Sequence, residues 1–325
     1  MTIAVTGSMA FDYIMSFPGN FEEHILPDQI GNLSVSFLVD TMRRERGGTA
    51  GNIAYNLALL KQPVLLMVAI GQDGKDYISQ LQAYGIDISG VLHLEDEFTA
   101  SFFVSTDTQN RQIANFYPGA MSRSADVSFH QHKDRPIELA VISPSSPNAM
   151  IKYVRECKEL GIRYAYDPSQ QLPRTDGETL RKCIDGAYML TVNDYEYELI
   201  KHKTRLSQDD IRKIVPILVV TRGEAGSTIY LDGDVIHVGA VSPIKIADPT
   251  GGGDAYRGGL LAGWRHGLNW QEAGQLGALT ATYAIEKVGT QRHTYTVEQF
   301  IERYRANFDS TSGIEQFFAQ LQKQG

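Results

Sequence analysis

The strongest chemical signal in this chain is a carboxylate beside a run of glycines, in Asp248-Pro249-Thr250-Gly251-Gly252-Gly253-Asp254-Ala255. Three successive glycines leave their amide hydrogens uncovered and free to take unusual dihedrals. The stretch that follows, residues 255–265, is dense in small and apolar residues and predicts a helix. A glycine turn that opens a helix is an anion site, because unpaired amides point outward and the helix dipole favours negative charge. Asp254 at that same end would repel a phosphate that was merely held. It has a purpose if it takes a proton from a hydroxyl attacking the phosphoryl group beside it. The alternative is a glycine-rich turn in which Asp254 stabilises the first turn of the helix.

The elements that position such a loop follow from the apolar pattern. Short β-rich runs at 64–69, 140–142, 163–166, 188–191 and 217–220 alternate with helical stretches at 76–84, 149–160, 194–201 and 271–287. The amino terminus, Met1 to Gly7, reads directly as a strand. This alternation predicts an α/β protein with a mostly parallel sheet, helices on both faces and ligands at the carboxyl ends of the strands. Segments 33–46 and 99–117 break the pattern, being strand-like without a following helix. Their strands are expected at 34–38, 101–105 and 112–116, with Asp107-Thr108-Gln109-Asn110 as a hairpin turn. Together they read as a small antiparallel sheet, whose apolar face needs cover from a ligand cleft or a second subunit. The expectation is one domain over 1–325, with a discontinuous lid at about 12–46 and 97–120.

Composition narrows the function. With 42% apolar residues and a formal charge of −8, the 325 residues are ample for a large buried core. The acidic balance argues against a general nucleic-acid surface. Cys157 and Cys183, without a CxxC or a nearby His pair, are expected as packed, reduced thiols, and the eight histidines show no metal spacing. No apolar run approaches the length of a membrane span and no basic leader precedes the first strand, so a cytoplasmic protein without membrane partners is expected. Gly71-Gln72-Asp73-Gly74-Lys75-Asp76 lacks the Walker spacing and its Ser/Thr, and no protein-kinase HRD or DFG set is present. A phosphoryl transferase here must be of another kind.

Three motifs in order supply that kind. Asp248-Pro249-Thr250 before Gly251-Gly252-Gly253-Asp254 resembles the carboxyl-terminal signature of the ribokinase-like (PfkB) sugar and nucleoside kinases. Gly47-Gly48-Thr49-Ala50-Gly51-Asn52-Ile53-Ala54 resembles their amino-terminal signature, and Gly7-Ser8-Met9-Ala10-Phe11-Asp12 their first strand and turn. The resemblance covers essentially the whole chain and implies a three-layer α/β/α ribokinase-like fold with a β lid. Further stretches are similar to the bacterial adenosine kinases of the mycobacterial type: Ser34 to Asp40, Tyr117-Pro118-Gly119-Ala120-Met121, Asp167-Pro168-Ser169-Gln170-Gln171 and Thr191 to Glu196. Two positions depart from the family pattern. Gly252 stands where Ala or another small apolar residue is usual and loosens the anion loop, and Arg222 stands where Leu is frequent and would alter contact with the nucleotide.

The resemblance implies ATP and Mg²⁺ as cofactors and a small nucleoside or sugar as substrate. Asp254 would be the base for the 5′-hydroxyl, and the backbone amides of Gly251, Gly252, Gly253 and Asp254 the anion hole. Asp12 would accept the ribose hydroxyls, with an Asx turn as its alternative. Gly48 and Asn52 would reach the same sugar, Asn52 having a helix cap as its rival role; Ser8 and Ser36 are weaker candidates. Phe102 and Phe116, on the two arms of the hairpin, would sandwich a purine, or else pack the lid core. Gln170 and Gln171 would read the adenine edge, or else lie on the surface. Asn193 and Glu196 share a helix face near the ATP phosphates, with Glu196 meeting Mg²⁺ through water or serving only as a dipole partner. Thr221, Gly223 and Gly226 resemble the nucleotide loop, and Asp248 and Thr250 fall where a monovalent cation such as K⁺ binds in many family members. The expected activity is an ATP-dependent adenosine kinase that dimerises through its lid; a ribose or fructose kinase is the rival, and the two aromatics with the Gln pair favour the nucleoside.

Overall fold

The computed structural model describes every residue except 26–30, 32, 33 and 325. The chain opens with β1 (Thr2–Thr6), β2 (Ala10–Ser16) and β3 (Thr41–Gly47), and α1 (Thr49–Leu59) starts directly behind Gly48. Next come β4 (Val64–Met67), β5 (Ala69–Gly71), α2 (Lys75–Ala83), β6 (Leu92–Leu94) and the hairpin of β7 (Ala100–Thr106) with β8 (Gln112–Tyr117). The middle of the chain alternates through β9 (Ile137–Ile142), α3 (Pro147–Leu160), β10 (Tyr164–Tyr166), α4 (Gly177–Ile184), β11 (Met189–Asn193) and α5 (Asp194–Thr204). Then α6 (Gln208–Ile214) leads to β12 (Ile217–Thr221), β13 (Ser227–Tyr230) and β14 (Val235–Val238). The chain closes with α7 (Gly252–Arg265), α8 (Trp270–Ile285), α9 (Val297–Asn307) and α10 (Ser312–Gln324).

The main sheet runs in the order β14-β13-β12-β11-β10-β9-β1-β4. Its pairs are parallel from β4 to β12 and antiparallel at β13 and β14. Strands covered on both faces must be apolar on both, and β1 does this with Ile3 and Val5 in one core and Ala4 in the other. The first core is closed by α1, α7 and α8 and by Phe300, Tyr304, Phe317 and Phe318 of the last two helices. The second is closed by α3, α4 and α5 through residues such as Tyr153, Leu180 and Ile200. This is the three-layer α/β/α arrangement expected, with the carboxyl ends of the parallel strands along one edge.

A smaller sheet, β3-β2-β7-β8, stands beside that edge. It differs from expectation in two ways. First, β2 and β7 pair in parallel, Ala10 opposite Ala100 through Ser16 opposite Thr106, because both strands run outward from the main body. Second, the run expected as a strand at 34–38 is irregular, and the strand forms at Thr41–Gly47 instead; residue 33 lies outside the described residues. The sequence of β3, TMRRERG, carries its alternation in charged residues, so hydrophobic periodicity does not reveal it. The hairpin turn is as expected: Asn110 takes a left-handed φ of 60°, and the Asp107 carboxylate accepts from the amides of Gln109 and Arg111, each at 2.9 Å. Cys157 and Cys183 are buried free thiols. Among the described residues no helix is long and apolar enough to cross a membrane.

Candidate active site

The glycine turn does open a helix. Gly251, with φ +80°, is the residue before α7, and a Cβ there would meet Thr290 Cβ at 2.9 Å, so both backbone and space require glycine. Among the described residues the amides of Gly251, Gly253 and Asp254 have no acceptor, and that of Gly252 reaches the Pro249 carbonyl at a long 3.3 Å. These unpaired donors at a helix start fit the phosphates of ATP. Asp254 Oδ2 accepts from Asn52 Nδ2 at 2.8 Å. Asn52 is in turn fixed by Thr290 Oγ1 at 2.7 Å and Gln291 Nε2 at 2.9 Å, both donating to its Oδ1. Its amide is therefore committed to the carboxylate and is no helix cap. Burial raises the Asp254 pKa above the usual carboxylate range; Arg257 and the Asn52 hydrogen bond oppose that rise and Glu196 adds to it.

A cleft of about 960 Å³ lies between this turn and the small sheet. Asp12, on β2, lines it, and burial, then Asp248 and Glu45, raise its pKa to about 6. Gly48 carries φ +89°, and a Cβ there would lie 2.5 Å from the Ser8 carbonyl oxygen. Gly48→Ala is therefore expected to destabilise the protein by more than about 1 kcal/mol, read as a lowered melting temperature, and to reduce activity by moving α1 and Asn52. Ser8 also lines the cleft, but its hydroxyl accepts from the Thr49 amide at 3.1 Å and caps α1. Ser36 is exposed in the irregular segment and is not among the cleft residues, a correction that follows from the shifted strand.

Phe102 and Phe116 both line the cleft, yet they are directly opposite each other in the β7–β8 register. Paired residues of neighbouring strands point to the same face, so the two rings lie side by side on one wall. They offer a single platform, not the sandwich expected from the sequence. Gln170 and Gln171 sit across from it on a short 3₁₀ turn, Ser169–Arg174, behind β10. Gln171 is buried, and its Oε1 has no partner among the described residues.

The other expected nucleotide residues are gathered at the ends of β11 and β12, outside the cleft lining. Asn193 and Glu196 form a reciprocal capping box at the start of α5, Asn193 Oδ1 accepting from the Glu196 amide at 2.7 Å and Glu196 Oε2 from the Asn193 amide at 2.8 Å. Among the described residues Glu196 Oε1 has no hydrogen-bond partner, and the side chain is close enough to raise the pKa of both Asp254 and Asp167. That leaves it fit for a water of Mg²⁺. Thr221 Oγ1 lies 3.5 Å from the Val192 carbonyl, and Gly223 has open space around it. Gly226 has a structural reason of its own, since a Cβ would meet the Val238 carbonyl at 2.1 Å. Arg222 is tied to the hydroxyls of Thr228 and Tyr230, which turns its guanidinium toward the sheet. Asp248 Oδ1 accepts from the Thr250 amide at 3.0 Å and Oδ2 from the Gly289 amide at 3.2 Å. Both oxygens thus brace the loop and do not by themselves build a cation cage.

Several site residues escaped the sequence reading. Arg257 stands one helical turn after Asp254, a spacing that could have revealed it, and its Nη1 lies 3.7 Å from Asp254 Oδ1. Asp167, inside a motif already singled out, is fully buried and accepts from Arg257 Nη2 at 2.7 Å. Thr290 and Gln291, which hold Asn52, had no local signal at all. Arg43 and Glu45 line the cleft from the strand that hydrophobicity missed.

An open, mostly parallel sheet, a small sheet standing off its carboxyl edge and a carboxylate at a glycine-opened helix define the ribokinase-like fold of phosphotransferases. The pfkB family carbohydrate kinase model matches residues 5–296, and the chain belongs to that family of kinases. A nucleoside kinase from Burkholderia thailandensis, solved in complex with inosine, is 38% identical with a TM-score of 0.85, over 94% of this chain and 99% of that one. The nucleoside kinase of Methanocaldococcus jannaschii is 29% identical over 303 residues, 93% of this chain and 96% of that one. Its crystal structure matches with a TM-score of 0.84 over 94% of this chain and 99% of that one.

Proposed function

We propose that this kinase transfers the γ-phosphoryl group of ATP to the 5′-hydroxyl of a purine nucleoside, with adenosine as the expected substrate. The observation that carries the reading is Asp254, held by Asn52 at the floor of the cleft beside unpaired helix-start amides. Asp254 accepts the hydroxyl proton late, as the loose transition state acidifies it. The amides of Gly251, Gly252, Gly253 and Asp254 stabilise the charge on the moving group. Mg²⁺, when bound with ATP, neutralises phosphate charge and orients the oxygens, with Glu196 positioned to hold one of its waters. Thr221, Gly223 and Gly226 would admit the nucleotide backbone beside it. A monovalent cation at Asp248 and Thr250 would have to share oxygens already bonded to amides, and the reading does not depend on it.

Asp12 takes the ribose hydroxyls, with Gly48 and Asn52 beside them. The base stacks on the platform of Phe102 and Phe116 with one face, and Gln170 and Gln171 meet its edge. A side-chain amide donates and accepts, so the same pair suits adenine or hypoxanthine; inosine is the second reading, favoured by the complex of the Burkholderia thailandensis relative. A free sugar would leave the aromatic platform and the orphaned Gln171 oxygen unused. The small sheet acts as a lid that excludes water. Its outer face exposes Met42, Phe103, Ile113 and Tyr117, which supports a homodimer formed through the lid.

The test is ADP release from Mg·ATP with adenosine, inosine, ribose and fructose in parallel. Turnover with adenosine well above inosine, and none with free sugars, is expected. Inosine above adenosine would replace the substrate and keep the site; turnover with a sugar alone would overturn the nucleoside reading.

A further inference from the structure

Arg257, in the second turn of α7, is held through all three nitrogens of its guanidinium. Its Nη2 donates to Asp167 Oδ1 at 2.7 Å and its Nε to Thr191 Oγ1 at 3.2 Å, so the end of β10 and the middle of the neighbouring β11 clamp the fork. The remaining nitrogen, Nη1, lies 3.7 Å from Asp254 Oδ1. A Cβ added at Gly253 would come within 3.0 Å of that same Nη1, which places the guanidinium against the opening turn of α7. Asp167 has no exposed surface, and its Oδ2 has no partner among the described residues. A buried carboxylate is costly without a partner, so Asp167 serves as an anchor for one cation. That cation faces the carboxylate proposed as the base.

We infer that Arg257 is a positioning residue for phosphoryl transfer: pinned by Asp167 and Thr191, it fixes the orientation of Asp254 and places a positive charge between that carboxylate and the glycine turn. The inference rests on the reading of Asp254 as the base. Among the described residues Arg257 is the cation that acts on Asp254, while Arg43 and Arg174 line the same cleft. Asn52 from α1 is neutral, Glu196 from α5 and Asp167 from the end of β10 are acidic, and Tyr77 from α2 is a buried hydroxyl whose pKa is raised by burial. Without the guanidinium, three carboxylates would share one partly closed space. Burial pushes Asp167 up to about 7 even with Arg257 opposing it. Arg257 itself, despite the cost of burial, is held above its ordinary value by Asp167, Asp254 and Glu196.

The experiment compares Arg257→Ala, Arg257→Lys and Asp254→Asn with the parent protein in kcat, KM, thermal melting and the pH profile of kcat at saturating nucleoside, where titration of Asp12 does not enter through KM. Arg257→Ala is expected to lose on the order of 10²-fold in kcat, with KM for the nucleoside within about threefold of the parent. Its acid limb should move up by about one pH unit, because an opposite charge has left the base, and added guanidinium should restore part of the rate. Arg257→Lys keeps the charge and loses the fork, so the acid limb stays while kcat falls about tenfold. If the alanine variant fails to fold, the lysine variant decides, and parent-like kcat in it overturns the inference. So does a loss of rate in a folded Arg257→Ala with an unmoved acid limb and no response to guanidinium, which would mark a purely structural residue. Asp254→Asn separates the levels: if it is inactive while the Arg257 variants behave as the parent, only this inference fails; if it stays active, the assignment of the base fails as well.

Discussion

Asp254→Asn is expected to lower kcat by about 10²–10⁴-fold, the usual worth of a positioned general base. KM for the nucleoside should move little, because Asp12, Gly48 and the aromatic platform bind it elsewhere in the cleft. Asparagine keeps the size of the side chain, so the Asn52 contact can persist through its oxygen and melting should change little. The measurement is steady-state ADP release at saturating substrate, with nucleoside binding followed separately by calorimetry. A variant that binds normally and turns over at even a tenth of the parent rate would remove Asp254 from the chemistry.

The second large effect belongs to Asp12. Its pKa, raised by burial and then by Asp248 and Glu45 to about 6, ties substrate binding to pH. Protonation removes acceptor capacity for the ribose hydroxyls, so KM for the nucleoside should rise as pH falls through about 6 while kcat changes less. Hydrogen bonds to a charged group contribute roughly 1.5–3 kcal/mol each, so Asp12→Asn should raise KM on the order of 10²-fold at pH 7.5. Stability runs the other way. The folded-state pKa lies above the unfolded one, so the folded chain holds this proton more tightly, and the group's contribution falls as pH rises from about 4 to 6. Above that window Asp12→Asn should gain up to about 3 kcal/mol, seen as a raised melting temperature in the absence of substrate. A variant that is neither more stable nor weaker in binding would mean that Asp12 is an ordinary residue of β2 with no part in substrate binding.

Legibility from sequence depended on how local each feature is. The glycine turn, α7 and the order of strands and helices were readable because dihedral freedom and apolar periodicity act within a few residues. Strand β3 was misplaced because Arg43, Arg44 and Glu45 carry its alternation, a pattern shaped by the cleft on one side and solvent on the other. Phe102 and Phe116 were found, but their relation was not, since register across the hairpin decides whether two rings face or flank each other. Arg257 was within reach at one helical turn from Asp254. Asn52, Thr290 and Gln291 form a contact set that no spacing in the chain announces.

That last set has a consequence for how the protein comes together. Asn52 meets Asp254 across 202 residues of chain and Thr290 across 238, so the chemical centre is closed by some of the longest sequence separations in the molecule. Contacts of that kind form after local helices and hairpins, because loop closure has to precede them. In refolding from denaturant, helical circular dichroism should therefore recover ahead of enzymatic activity. Recovery of turnover is then a stricter reporter of complete folding than recovery of the helical signal.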